Sequence, residues 1–467
     1  MKSSLNNRSY RGITLTALAG LAFMLVLSLI FWRERVFILD AAFQSFYLIA
    51  KKTWAFQVQR YGAAVVQGPP LLLVKLGAPL KAVMISYSLA FTVYPLVLFG
   101  LLLWAKLQRF AWALALFFLL MMSHTFFWIQ SELIQATAFA IFTVGISNKT
   151  NWAWWIRLPL LTALGLLTVY AHPLGIAPLT FGLALCGLGG GMEKTNPRRF
   201  WYFLALGVGM IGVFLIKQFY LGTGSYDDKA IGMMQQNVPE QISRIFKLTS
   251  TERFLGYLRS TYLPFSTIML GTLGFYFWKK RWWRLAVTLG AIALWLSVVL
   301  TTWFYGANQF YIESYYLLLG CFIGIPLALD VLPELPRKWA IGVMAFAVVT
   351  RVITIISVGE YYVKRQAHVA AIVEQLDRMP DQRYVLNRKN LKKGDFRMHW
   401  GIPYATTLIS CLDGPDHPRM FLDYSGEIPE YVDHFRKNAI PTSYGPFKYD
   451  WIIGRNYFNF TAIGPFI

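Results

Sequence analysis

The residues of this chain best suited to chemistry are polar side chains at the ends of long apolar stretches. Asp40 follows the first stretch, Glu132 begins a later one, and His172 lies in a short turn between two others. Tyr311 and Glu313 stand at the start of a further stretch. Carboxylates and imidazoles can bind ligands or move protons, and within a membrane such groups are retained mainly where they pair, bind or react. If these ends converge, they would surround one cavity.

Each of these residues also has a structural interpretation that needs no ligand. Glu132 and Glu313 stand where an acidic side chain favours a helix N-terminus, and Asp40 could be the N-cap of the helix that follows it. His172 could be a hydrogen-bonded residue at a proline kink. Arg351, inside the last apolar stretch, could extend to the lipid headgroups.

The composition indicates a membrane protein with many helices. The chain has 467 residues, of which 56% are hydrophobic and 14% charged, and its mean hydropathy is +0.46. A helix needs about 20 apolar residues to cross a hydrocarbon core about 30 Å thick, and the sequence contains about eleven such stretches. They are 13–32, 82–105, 110–127, 131–147, 157–171, 174–191, 200–220, 264–278, 284–304, 313–332 and 338–358.

The Lys and Arg residues of the short loops predict the orientation. Basic segments such as "AKLQRF" and "KKRWWR" fall at every second junction, and the short loops between them lack Lys and Arg. Because basic short loops stay on the cytoplasmic side, we expect a cytoplasmic N-terminus in a multi-pass cell membrane, in a bacterium the inner membrane. The long segments 33–81, 221–263 and 359–467 then lie on the outer side, where nucleic acid is not expected as a partner.

The last outer segment, 359–467, predicts a small α/β domain. A helical pattern, "YYVKRQAHVAAIVEQLDRM", precedes four strand-like runs separated by Gly, Pro and Asp. These runs are "RYVLN", "TTLISC", "RMFLDY" and "DWIIGRNY". The sequence therefore predicts an all-α polytopic membrane domain over 1–358, with about eleven transmembrane helices and outer interfacial helices. The C-terminal extracytoplasmic α/β domain would cover it.

The first outer segment contains an ordered set of features. Asp40 comes just after the first apolar stretch, and 41–60 has apolar residues at helical spacing, which is typical of an amphipathic helix lying flat in the headgroups. The run "VVQGPPLLLVKLG" at 65–77 follows, with Pro69 and Pro70 at its head.

This order resembles the first outer loop of the C-type (GT-C) membrane glycosyltransferases. It is most similar to the branch that contains protein O-mannosyltransferases and lipid A aminoarabinose transferases, in which the first span is followed by Asp-Glu, a helix with Tyr and Ala, and His- or Lys-Pro-Pro-Leu. The matching residues here are Asp40-Ala41, Tyr47, Ala50 and Gln67-Gly68-Pro69-Pro70-Leu71, with Glu132 at the head of the fourth span. Ala41 replaces a second acidic residue, and Gln67-Gly68 replaces a basic one. The likeness runs through about residues 13–190.

The resemblance implies a polyprenyl-phosphate or polyprenyl-diphosphate sugar as the donor and a lipid, glycan or protein as the acceptor. Asp40 would take the proton of the acceptor hydroxyl as its oxygen attacks the anomeric carbon. Positive charge or hydrogen-bond donors would stabilise the leaving phosphate. The candidates for holding the phosphate or sugar of the donor are Arg60, His172, Arg259, Arg351, Glu132, Tyr311 and Glu313. Asp40 and Glu132 could instead hold a divalent metal cation, so the cofactor stays open.

The two prolines have a physical explanation that involves no chemistry. Proline fixes φ and lacks an N–H, so a pair at a helix start costs no helical hydrogen bond while it turns the chain abruptly. We therefore expect Pro69 and Pro70 to position the outer loop and to hold Asp40 over the cavity.

Two other classes of protein are compatible with the sequence. A lipid or sugar transporter would also gather polar residues in its spans, but paired broken helices in two related halves are typical of transporters, and the sequence has no evident internal repeat. A noncatalytic membrane scaffold, or a relative that has lost catalysis, would use 359–467 as a docking module. Dependence of function on Asp40 separates the enzyme from both.

Overall fold

The computed structural model describes residues 2–57, 59–129, 131–149, 152–188, 197–221, 226–379, 383–387, 401–424, 439–440, 447–448 and 451–460. Helices dominate these residues. They are α1 (Lys2–Ile30), α2 (Trp32–Val36), α3 (Leu39–Lys51), α4 (Ala64–Lys75), α5 (Leu80–Trp104), α6 (Gln108–Met121), α7 (Glu132–Ser147), α8 (Trp154–Ala171), α9 (Ile176–Gly187), α10 (Pro197–Ile216), α11 (Tyr226–Gln241), α12 (Thr249–Arg259), α13 (Leu263–Trp278), α14 (Trp282–Thr302), α15 (Gln309–Pro326), α16 (Arg337–Asp377) and α17 (Ile402–Ser410). Four short strands are β1 (Arg383–Asn387), β2 (Met420–Tyr424), β3 (Ala439–Ile440) and β4 (Phe447–Lys448).

Within the described residues, seven helical segments are long and apolar enough to cross a membrane, which confirms the prediction of a helical membrane protein. They are Tyr10–Ile30, Leu80–Trp104, Trp154–Ala171, Pro197–Tyr220, Trp282–Thr302, Gln309–Val331 and Arg337–Asp377. The remaining predicted stretches coincide with the shorter apolar helices Gln108–Met121, Glu132–Ser147, Pro173–Gly187 and Leu263–Trp278. At about 1.5 Å per residue these four are shorter than a bilayer core, so the predicted number of crossings stays a prediction.

Helices α6, α7 and α15 form the centre of the bundle. Every residue of α7 is buried, and α6 is buried from Phe110 to Met121. Gly324 of α15 lies so close to α6 that a Cβ atom there would be 3.3 Å from the Leu116 Cβ. Small residues allow helix backbones to approach closely where no water drives association. The central helices can therefore hold the polar residues at their ends in fixed positions.

The helix ends that the sequence predicts to face outward lie together at one end of the bundle. Trp128, before α7, contacts Tyr311 at the start of α15. Gly62, before α4, packs against Ala171 at the end of α8. At the opposite end, Arg109 donates hydrogen bonds to the Leu329 carbonyl and the Tyr10 hydroxyl. The side of the membrane that each end faces stays a prediction.

The apolar face of helix α3, from which the sequence predicts an interfacial helix, is covered by protein. Phe46, Ile49 and Ala50 are buried, and the ring of Phe46 stacks on that of Phe458 with centroids 5.3 Å apart. The prediction that 41–60 lays this face in the headgroups is therefore wrong. Apolar periodicity shows that a face is buried but not what buries it. Here it is covered by described residues of the last outer segment, 359–467, called the C-terminal segment below.

The two prolines of the first outer segment lie inside α4 and not at its start. The helix begins at Ala64, so the prediction that Pro69 and Pro70 open a helix is wrong. Neither proline can donate to the carbonyl four residues back, so the Val65 and Val66 carbonyls lose those helical hydrogen bonds. Pro70 is buried and Pro69 is exposed. The proposed loop-positioning role of the pair stays a prediction.

The described residues of the C-terminal segment contain both helices and strands. The helical pattern predicted at 361–379 is confirmed, as a continuation of α16. Strands β1 and β2 confirm two strand-like runs and pair in parallel, Arg383 opposite Met420 and Asn387 opposite Tyr424. The run "TTLISC" instead lies mainly in α17, and "DWIIGRNY" forms no strand over 451–457. The division into two domains stays a prediction.

Candidate functional site

Asp40 lies in the first turn of α3 and faces the aromatic turn before α7. The indole N–H of Trp128 donates a hydrogen bond of 3.0 Å to Asp40 Oδ2. Asp40 is only half-buried, so a ligand can reach the carboxylate. The same indole contacts Tyr311 and Phe310 of α15, with ring centroids 5.8 and 5.9 Å apart. Trp128 therefore joins two of the residues that the sequence singles out, Asp40 and Tyr311.

Glu132 forms a buried ion pair with Arg60. The Arg60 Nη1 lies 3.1 Å from Glu132 Oε2, and the two side chains are 13% and 9% exposed. The other Glu132 oxygen accepts a long hydrogen bond of 3.4 Å from the Gln44 amide. An ion pair this well buried needs good geometry, because each charge has lost its water. The pair fixes the Arg60 guanidinium relative to the central helix α7.

A chain of amides and a phenol supports this ion pair. The Gln44 carbonyl oxygen accepts hydrogen bonds from Tyr87 OH at 2.8 Å and from the Gln67 amide at 3.1 Å. Gln67 also accepts from the Ala55 backbone N–H at 2.9 Å. Gln67, which stands near the proline pair, therefore links the first outer segment to Glu132 through neutral groups. Asp40 and Gln44 are four residues apart in α3 and so lie on one face of it, which places Asp40 one helical turn from the residue that contacts Glu132.

His172 lies between α8 and α9 in its neutral form. Its Nδ1 accepts a 3.1 Å hydrogen bond from the Leu174 backbone N–H, so the ring proton must be on Nε2. Burial and the nearby positive charges of Arg60 and Lys217 hold the pKa of His172 well below its usual value. Among the described residues none forms a hydrogen bond with Nε2. Its N–H can therefore donate to a ligand.

The lowered pKa of His172 predicts a loss of stability in mild acid. The unfolded chain binds a proton at this histidine more readily than the folded chain, so stability is complete above about pH 6.5 and falls as the pH drops below it. We expect the thermal unfolding midpoint in detergent to fall between about pH 7.5 and about pH 5, and to fall less in His172→Asn. Asparagine can still accept the hydrogen bond of Leu174. In the exposed control His417→Asn the fall should match that of the wild type, and an equal fall in His172→Asn would contradict the assignment.

A mostly apolar cavity of about 610 Å³ opens beside Arg60 and His172. Its wall includes Phe214 of α10, Val298 of α14 and Trp303 at the C-terminal cap of α14. A volume of this size is typical of sites for small organic ligands. Asp40 does not line this cavity, and a series of ring contacts from Trp128 to Tyr311 to Trp303 lies between them. The cavity is therefore mostly apolar, and Arg60, His172 and Asp228 contribute polar side chains to its wall.

Lys217 acts on His172 through its charge and is not among the residues that the sequence predicts for the site. It lies in the π-helical turn Lys217–Leu221 at the end of α10 and is 6% exposed. Its Nζ donates to the Val169 carbonyl at 3.0 Å and lies 4.8 Å from the centre of the Tyr170 ring. π-helical turns are frequent at functional sites. A single lysine at the predicted outer end of an apolar span, in "FLIKQFYLG", is the signal that could have identified it.

Glu313 is completely buried in a network separate from the cavity. Its carboxylate accepts hydrogen bonds from the backbone N–H groups of Ser123 and Thr125 at 2.7 and 2.9 Å, and from both hydroxyls of these residues. The Tyr262 hydroxyl donates a further bond of 2.7 Å. These donors occupy both carboxylate oxygens, so Glu313 ties α15 to the turn at His124–Phe127. Glu313 does not line the cavity, so its predicted contact with the lipid-linked sugar donor stays a prediction.

Two of the predicted arginines are also placed away from the cavity. Arg351 is fully buried, and its guanidinium donates to the carbonyls of Leu119, Leu120 and Met122 at the end of α6. These carbonyls have no helical partners of their own, and a cation is favoured at the C-terminal end of a helix. Arg259 lies on the exposed face of α12. Of the predicted basic residues, the structure brings Arg60 and His172 together.

The described residues contain no group of three or more His, Cys, Asp and Glu side chains placed to hold a metal ion. Asp40 and Glu132, the residues predicted as possible ligands, bond to the Trp128 indole and to Arg60, respectively. By their chemistry, a carboxylate such as Asp40 can accept a proton, and donors such as Arg60 and His172 can stabilise negative charge.

Comparison of the chain with models of protein families, with curated proteins and with solved structures finds no match.

Proposed function

We propose that this chain is an integral membrane glycosyltransferase that moves a sugar from a polyprenyl-phosphate-linked donor to an acceptor at the outer face of the membrane. The observation that carries the proposal is the apolar cavity lined by Arg60 and His172. Asp40 lies one turn of α3 before Gln44, which contacts the Glu132 partner of Arg60. A lipid phosphate is complementary to this arrangement, because its apolar chain suits the apolar wall and its anionic head can accept hydrogen bonds from Arg60 and His172. The resemblance of the first outer segment to GT-C glycosyltransferases points to the same class of donor.

The proposed reaction is a displacement at the anomeric carbon of the donor sugar. Asp40 takes the proton of the acceptor hydroxyl while the acceptor oxygen forms a bond to that carbon. The bond from the carbon to the phosphate oxygen breaks, and its electron pair leaves with the phosphate. Arg60 and the Nε2–H of His172 stabilise the charge that develops on the leaving oxygen. Trp128 holds the Asp40 carboxylate by its hydrogen bond.

The donor is proposed to bind with its lipid chain along the apolar wall. Phe214 and Val298 line that wall, and burial of apolar surface favours binding by about 25 cal/mol per Å². The sugar would lie near Tyr311 and Trp303, whose ring centroids are 5.0 Å apart. Aromatic faces near the polar end suit a sugar ring, which has both apolar and hydroxyl-bearing surfaces.

The test is to follow radiolabel from a panel of polyprenyl-linked sugars in membranes that contain the full chain. We expect transfer of label by the wild type and a raised KM for the donor in Val298→Trp, because the indole occupies part of the cavity. Val349→Trp is the matched control, since Val349 is 55% exposed on α16 and lies outside the cavity. No transfer by a folded wild type with any donor would overturn the proposal and favour a scaffold. Movement of intact donor across the membrane would favour a transporter.

A further inference from the structure

The residue before Asp40 has an unusual backbone conformation. Leu39 has φ +42°, in the left-handed region that a bulky residue rarely adopts because its Cβ crowds the backbone. Leu39 is nevertheless buried, and the Ile38 carbonyl next to it accepts the Ala41 and Ala42 N–H groups at 3.0 and 3.2 Å. Such a conformation persists only where surrounding groups enforce it. The direction in which Asp40 points therefore depends on what packs against Leu39.

Gly401, in the C-terminal segment, is the residue that packs against Leu39. A Cβ atom on Gly401 would lie 2.7 Å from both the Cα and the N atom of Leu39. These are backbone atoms, which cannot swing aside as a side chain can. Gly401 directly precedes α17. The absence of a side chain at Gly401 therefore allows α17 to approach the start of α3.

A second glycine of the C-terminal segment holds the other end of α3. The backbone N–H groups of Ile453 and Gly454 donate to the Ala50 carbonyl at 2.8 and 2.9 Å. A Cβ atom on Gly454 would lie 2.4 Å from the Ile49 carbonyl oxygen. The last carbonyls of a helix lack helical partners and need donors from elsewhere. The C-terminal segment supplies them here.

Aromatic contacts fill the space between these two ends. The Tyr404 ring of α17 lies 5.1 Å from the Phe43 ring and 5.5 Å from the Phe46 ring, and the Phe458 ring stacks on Phe46 at 5.3 Å. The Tyr457 hydroxyl donates to the Ala78 carbonyl at 2.7 Å, which joins the same segment to the loop after α4. Described residues of the C-terminal segment thus contact α3 from Leu39 to Ala50.

We propose that the C-terminal segment is a clamp that sets the position of the Asp40 carboxylate, with Gly401 and Gly454 as its two positioning residues. The clamp acts through Leu39, whose left-handed backbone it enforces, and through the fixed C-terminus of α3. The consequence for catalysis rests on the proposed function. The consequence for the geometry of α3 does not, so the two can be tested separately.

The geometric test measures the reactivity of a thiol introduced by Asp40→Cys in the full chain in membranes. We expect a membrane-impermeant maleimide to label this thiol several-fold faster when Gly401→Ala or Gly454→Ala is added, because the start of α3 is released. Gly414→Ala is the matched control, since Gly414 lies in the same segment with no atom within 4 Å of an added Cβ. The native cysteines are buried, and a chain without Asp40→Cys gives the background. Equal labelling rates in all backgrounds would overturn the clamp.

The catalytic test follows transfer with Asp40 in place. Displacing a catalytic group by about 1 Å can lower the rate by about 100-fold, so we expect kcat to fall by about 10- to 100-fold in Gly401→Ala with the KM for the donor nearly unchanged. Phe458→Leu removes the aromatic stack without a clash, so its kcat should fall by a smaller factor with the KM nearly unchanged. This variant tests the clamp if the alanine variants do not fold. If the wild type transferred no sugar, the proposed function would be wrong but the clamp would still stand. If variants with faster labelling kept a normal kcat, the clamp would not serve catalysis.

Discussion

Replacement of Asp40 by asparagine is expected to lower the rate of sugar transfer by about 10²- to 10⁴-fold, the usual contribution of a general base. The change preserves the size of the side chain and an oxygen that can accept the hydrogen bond of Trp128. It removes the carboxylate that takes the proton of the acceptor. Transfer of label from the lipid donor, measured at equal amounts of folded protein, checks this expectation.

Asp413→Asn is the matched control for this prediction. Asp413 is exposed in the C-terminal segment and undergoes the same chemical change away from the cavity. Its rate should equal that of the wild type. If Asp40→Asn transferred sugar as fast as Asp413→Asn, Asp40 would have no part in proton transfer, and the mechanism proposed above would be wrong at its first step.

The helices of the membrane part could be predicted because apolar length determines them. Each predicted stretch falls on an apolar helix, since the backbone in lipid must satisfy its own hydrogen bonds. The run "TTLISC" was misassigned because β-branched residues favour strands in general. In α17 the hydroxyls of Thr406 and Thr407 bond to carbonyls four residues back, Ile402 at 3.0 Å and Pro403 at 2.8 Å. Tertiary packing against α3 then outweighs the local preference.

The sequence predicts those residues of the site that are recognisable from their own type and position. Asp40, Glu132 and His172 stood out because polar groups at apolar span ends are rare. Gln44 and Trp128 did not, because their roles depend on contacts across 88 residues of sequence. The same limit explains why Arg351 and Glu313 were predicted to bind the phosphate or sugar of the donor. Their buried protein partners are visible only in three dimensions.

The structure also gives a physical reason for two departures from the pattern that the first outer segment resembles. Ala41 is completely buried, so an ionised acid there would need a partner to offset its lost hydration. Gln67 is completely buried as well, and its amide bonds to Gln44 and to the Ala55 backbone. A neutral amide can satisfy both neighbours without a buried charge.

Arg60→Gln is expected to lower the rate of transfer by about 10²- to 10³-fold, as for the loss of one donor to a developing negative charge. Arg60 lines the cavity and is held in place by Glu132. The matched control is Arg259→Gln, because Arg259 is exposed on α12 and should not affect transfer. The same radiolabel assay measures both, with the unfolding midpoint as a check of folding.

The loss in Arg60→Gln has a second physical cause that must be separated from the first. Without the arginine, the buried Glu132 carboxylate loses its cationic partner, and removal of one member of a buried ion pair destabilises a protein by about 3–5 kcal/mol. Adding Glu132→Gln removes that charge. If Arg60 acts on the phosphate, the double variant recovers its unfolding midpoint but transfers sugar as slowly as Arg60→Gln. If the double variant instead recovers the rate, Arg60 is structural, and the phosphate must be bound by His172 and the groups around it.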